Sequence, residues 1–80
     1  MSESKYDEVL DVKGLKCPMP MLKTKKALAK MQPGAKLLVQ ATDPHALRDL
    51  SQFSDQTGNK LVDSSEKDGI FYIVMQRKSE

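Results

Sequence analysis

The run Ile70-Phe71-Tyr72-Ile73-Val74-Met75 is the longest apolar stretch of the chain and restricts most strongly how the chain can fold. It is far too short to cross a bilayer, which takes about 20 apolar residues as a helix. Its composition instead fits a central strand buried on both sides. Asp68-Gly69, directly before it, is a strong hairpin signal. The weaker, more polar stretch from Lys60 to Lys67 is therefore expected to be the partner strand.

Upstream, Asp7-Glu8-Val9-Leu10-Asp11-Val12 brackets apolar residues with charge and predicts a short strand at a sheet edge. Gly14 then turns the chain. From Pro18 to Met31 the residues Met21, Leu22, Leu28, Ala29 and Met31 recur at helical spacing, with Lys23, Lys26 and Lys30 on an opposite face. The methionines of this helix read as core filling. Gln32-Pro33-Gly34 stops it, and Lys36 to Thr42 follows as a strand. Asp43-Pro44 opens a second helix, with Asp as N-cap and Pro at the first helical position. Ala46, Leu47, Leu50 and Phe53 form its apolar stripe up to Gly58.

The order is therefore βαβαββ, without internal repeat or linker, and residues 1–80 are expected to form a single domain. Crossover connections make the first three strands parallel, and the hairpin makes the fourth antiparallel to the third. The fold class expected is α/β in the broad sense, an α+β two-layer sandwich with both helices on one face of a four-stranded mixed sheet. The ends of strands one and two that feed the helices then share a rim. Cys17 and the Asp43-Pro44-His45 corner are expected near each other there.

Eighty residues leave little room for a deep cavity, since a chain this small buries only roughly 60 to 65% of its unfolded surface. A carrier, binding module or partner protein is favoured over an enzyme with an enclosed site. The one cysteine excludes an internal disulfide, and one histidine beside it cannot complete a tetrahedral metal site. No metal and no cofactor are expected. The N-terminus is polar and lacks the apolar core of a signal peptide, so the expected location is the cytoplasm, where thiols stay reduced. Charge is unevenly spread: between Val12 and Thr42 stand seven lysines, at 13, 16, 23, 25, 26, 30 and 36, and no acid. Such a field favours a thiolate and attracts anionic or acidic partners.

The only thiol lies in Gly14-Leu15-Lys16-Cys17-Pro18-Met19-Pro20. With Cys17 as N-cap, Pro18 and Pro20 fall at the first and third helical positions, where a missing N–H costs little. The Met19 N–H, the helix dipole and Lys16 are expected to stabilise negative charge on the sulfur and lower its pKa. No second cysteine is present to resolve a disulfide, and no orienting acid–base pair is evident. A sulfur loaded and unloaded by other proteins fits best. His45 reads as an exposed first-turn residue, Asp43 as a helix cap, and Arg48 and Asp49 as surface residues of the second helix.

Leu10-Asp11, the Gly-Leu-Lys-Cys-Pro-Met-Pro segment, Gln32-Pro33-Gly34 and Thr42-Asp43-Pro44 together resemble the TusA family of sulfur carrier proteins, also called SirA-like. The resemblance covers nearly the whole chain and implies a fold similar to the C-terminal domain of translation initiation factor three. It also implies that Cys17 accepts sulfur as a persulfide from a cysteine desulfurase or rhodanese-like donor. That sulfur would pass to a DsrE-type or related acceptor, for tRNA 2-thiolation, molybdenum cofactor supply or sulfur oxidation. Met19 departs from the Cys-Pro-Glu-Pro form of enteric tRNA-modifying members and looks closer to members of sulfur-oxidation relays. Lys16, Pro18, Met19 and Pro20 would support the sulfur, and Lys13, Lys23 and Lys26 would dock partners. Two other classes compete: a small basic nucleic-acid-binding module, disfavoured by a first helix without aromatics or arginine, and a regulatory interaction module whose Cys17 is structural or a redox sensor.

Overall fold

In the computed structural model, which describes residues 6–78, the chain forms β1 (Glu8–Val12), α1 (Met19–Ala29), β2 (Lys36–Ala41), α2 (Ala46–Thr57), β3 (Lys60–Lys67) and β4 (Ile70–Gln76). The sheet order is β1-β2-β4-β3. β1 and β2 are parallel, and β4 runs antiparallel to both β2 and β3. This is the mixed four-stranded sheet with two helices that the pattern of the chain predicts.

Turn chemistry fixes the connections. Asp68 and Gly69 both take positive φ, 54° and 79°, as a two-residue hairpin with the right twist requires. In the Gln32–Ala35 turn, Pro33 and Gly34 occupy the central positions and the Ala35 N–H donates to the Gln32 carbonyl at 3.0 Å. Gly34, at φ 84°, takes the place where a type II turn favours glycine.

β4 lies inside the sheet, as its apolar run demands. Ile73 and Met75 face the helices and are fully buried, while Val74 pairs with Leu38 of β2 and is also covered. The core on the helical side comprises Val12, Leu37, Val39, Ala41, Ile73 and Met75 from the sheet. Leu28 of α1, Met31 just beyond it, and Ala46, Leu50 and Phe53 of α2 close over them. Full burial of each Leu or Ile contributes about 1.5–3 kcal/mol.

The inward face of α1 differs from the expected stripe. Pro20, Thr24 and Leu28, at i, i+4 and i+8, are the buried residues, with Met21 and Ala27 partly covered, whereas Leu22 and Ala29 face solvent. Thr24 can be fully buried because its hydroxyl donates to the Pro20 carbonyl at 2.8 Å. α2 follows its expected stripe and ends at Gly58, in the left-handed region at φ 87°, whose N–H donates to the Ser54 carbonyl.

Candidate functional site

β1 and β2 deliver the two loops of the site to one rim of the sheet. After β1, Gly14 turns the chain at φ 84° and its N–H donates to Thr42 Oγ1 at 2.9 Å, pinning the β1–α1 loop to the end of β2. Cys17 follows, exposed, and its N–H donates to Asp43 Oδ2 at 2.6 Å. The rim expected to join Cys17 to the Asp43 corner is thus formed.

Cys17 precedes the helix and does not cap it. Pro18 occupies the N-cap position, the Cys17–Pro18 peptide is cis, and α1 begins at Met19. The Met19 N–H, expected to serve the sulfur, instead donates to the Lys16 carbonyl at 2.8 Å and closes the turn across Cys17. Pro18 and Met19 are exposed, whereas Pro20 is buried and anchors the first turn.

The sulfur finds a partner that sequence reasoning assigned to the plain surface. Cys17 Sγ donates its proton to Asp49 Oδ2 at 2.7 Å. The other oxygen of Asp49 faces Arg48 Nε at 3.8 Å, and the Asp49 side chain keeps 16% of its exposure. A carboxylate that accepts the thiol proton favours the protonated form, so the Cys17 pKa is raised, against the lowering expected from the lysine field. The Asp49 hydrogen bond is the main cause; partial desolvation and the negative charges of Asp49 and Asp43 add to it, and Arg48 opposes. Proximity decides the sign: a carboxylate in direct contact outweighs cations spread along a solvated helix.

Asp43 and Pro44, expected as the N-cap and first helical residue of α2, instead precede the helix: His45 holds the N-cap position without a side-chain cap, and α2 starts at Ala46. Asp43 closes the turn that leads into α2. Its backbone carbonyl accepts the Ala46 N–H at 3.0 Å, and Oδ1 accepts the His45 N–H at 3.1 Å. His45 Nδ1 lies 3.3 Å from Asp43 Oδ1, and the ring is largely exposed, as expected for a residue outside the site.

The lysines divide. Lys13 Nζ donates to Gln40 Oε1 at 2.8 Å and pairs with Asp11 at 3.1 Å, which ties it to the sheet rim. Lys16 is exposed beside Cys17. Lys23 and Lys26, with Lys30, border a groove of about 280 Å³ floored by Leu10, Ala27 and Met31.

The family profile described as Sulfurtransferase TusA matches residues 8–77, from the first residue of β1 to just past the end of β4. The chain belongs to the TusA family. It is 56% identical over 71 residues to a putative sulfur carrier protein of Neisseria meningitidis serogroup A, covering 89% of this chain and 96% of that one. With the sulfur carrier protein TusA of Allochromatium vinosum it shares 43% identity over 72 residues, covering 90% and 95%. The crystal structure of a SirA-like protein from Desulfitobacterium hafniense superposes with a TM-score of 0.80 at 24% identity, over 90% of this chain and 99% of that one. Its fold is the βαβαββ sandwich described above, the fold that the motif and the element order of this chain imply.

Proposed function

We propose that this protein carries sulfur as a persulfide on Cys17, taking it from a cysteine desulfurase or rhodanese-like donor and passing it to an acceptor protein of the DsrE type or a related one. The observation that carries this reading is the exposed thiol, the only one in the chain, held on a proline-framed turn at an open rim of a TusA-family fold. The transfer is a thiol exchange without net oxidation. The Cys17 sulfur attacks the outer sulfur of the donor persulfide, forming a new S–S bond. The donor S–S bond breaks, its electron pair leaves on the donor's inner sulfur, and the proton released from Cys17 restores the donor thiol.

In this reading residues 1–80 act as one cytoplasmic carrier domain. Pro18 and Pro20 aim the thiol, Lys16 and Met19 flank it, and Lys13, Lys23 and Lys26 contribute to docking. Met19, in place of the glutamate of enteric tRNA-modifying members, favours a sulfur-oxidation relay over tRNA 2-thiolation. No helix among the described residues is long and apolar enough to cross a membrane.

The test is intact-mass measurement after incubation with a cysteine desulfurase and cysteine, or with thiosulfate and a rhodanese. The expected result is a gain of one sulfur atom on the wild type that reductant removes and Cys17→Ser abolishes. An unmodified wild type, or an equal gain on Cys17→Ser, overturns the proposal.

A further inference from the structure

Ala46, Asp49, Leu50 and Phe53 stand at i, i+3, i+4 and i+7 of α2, the positions that face inward, and Asp49 is the single ionisable residue among them. An acid at the edge of an apolar face is placed against its natural preference for water. Here it is aimed at the reactive atom: one carboxylate oxygen accepts the Cys17 thiol proton at 2.7 Å while the other is held toward Arg48.

We propose that Asp49 sorts the two sulfur states of the carrier, holding the empty Cys17 thiol protonated and quiet and turning away the same residue once it bears a persulfide. The empty thiol is a hydrogen-bond donor and the carboxylate an acceptor, so the two attract. A loaded Cys17 has no hydrogen on Sγ. Its outer sulfur is a stronger acid than a thiol and carries negative charge at neutral pH, and beside an ionised carboxylate that charge is repelled. Loading therefore converts the hydrogen bond between the sulfur and Asp49 into a repulsion, and the persulfide turns outward from α2. Among the described residues the charged groups that act on the sulfur are Asp49 and Arg48 of α2 and Asp43 of the β2–α2 loop, where His45 binds Asp43; Lys16 precedes it in its own loop. The two carboxylates outweigh Arg48, which agrees with the raised pKa of the empty thiol.

The description of the loaded state rests on the persulfide-carrier reading, whereas the hold on the empty thiol does not, and the experiment separates them. The rate of Cys17 alkylation by iodoacetamide is followed against pH for wild type and Asp49→Asn, empty and after loading with a low-molecular-weight persulfide. In Asp49→Asn the pH profile of the empty thiol should move to lower pH, with alkylation at pH 7 faster by about three- to tenfold. The persulfide rate should change by less than about twofold, since the loaded sulfur no longer bonds to Asp49. Asp49→Ala is measured alongside, its fold checked by thermal melting, and carries the same expectation. Superposed profiles for the empty thiol overturn the proposal, as does equal acceleration of empty and loaded forms, which would mark Asp49 as a steric shield only. A wild type that takes up no sulfur overturns the carrier reading and the loaded-state half of the inference, and the pH profile still decides the empty-state half.

Discussion

Asp43 holds three backbone amides: its carboxylate takes those of Cys17 and His45, and its carbonyl takes that of Ala46. The His45 amide is the main reason its carboxyl lies below the usual range; partial burial opposes this and the Cys17 amide adds to it. A lowered carboxylate pKa contributes stability that is present above the ordinary Asp value and is lost as pH falls through the lowered one. The grip on Cys17 is thus complete at neutral pH and loosens only in acid. Cys17 has the opposite sense. Its raised pKa contributes below the ordinary thiol value, and that contribution is lost as pH rises through the raised one. In Asp43→Asn one oxygen remains for two amides and the charge is gone, so the Cys17 amide should exchange with deuterium on the order of tenfold faster at pH 7 by NMR. Unchanged exchange would mean the turn is held without Asp43. At this scale Cys17 was legible because a lone thiol directly ahead of two prolines at a helix start has few other uses, whereas Asp49 was not, since a contact spanning 32 residues depends on how the β1–α1 loop comes to lie against α2. Its position within the stripe Ala46, Leu50, Phe53 was nevertheless a signal: an acid where an apolar residue was due.

Element by element, apolar spacing served α2 better than α1. The seam of α1 runs through Pro20 and Thr24, two residues that a count of apolar side chains passes over, and this shifts the buried face away from Leu22 and Ala29. Proline at a first turn is a compact apolar group, and a threonine whose hydroxyl turns back on its own helix presents only its methyl and Cβ to the core. The two leucines of α1 should therefore behave differently. Leu28→Ala, at 2% exposure, should cost about 2–5 kcal/mol in urea unfolding, a large part of the stability of a domain this size. Leu22→Ala, at 45%, should stay within about 0.5 kcal/mol. Similar losses for both would mean that α1 is rotated about its axis relative to the packing described.

Across the whole molecule, sequence pattern was enough for the order of elements, the direction of each strand and the shared rim, because each follows from turn residues and short connections. The sign of the field at the sulfur was not legible. The lysines from Lys13 to Lys36 surround the site in sequence, but in space Asp49 of α2 accepts the thiol proton and Asp43 of the β2–α2 loop holds the Cys17 amide. In the proposed relay the lysines serve as the docking surface for acidic partners. Reversing Lys16, Lys23 and Lys26 to Glu should slow sulfur transfer by roughly tenfold at low salt and much less at high salt. An effect independent of salt would argue against electrostatic steering. The place of β4 has a consequence for synthesis. The strand that comes last in sequence lies between β2 and β3 and brings Ile73 and Met75 to the core. A growing chain on the ribosome therefore carries two open strand edges and an unfilled interior until Gln76 has emerged, and chaperones have most to protect just before that moment.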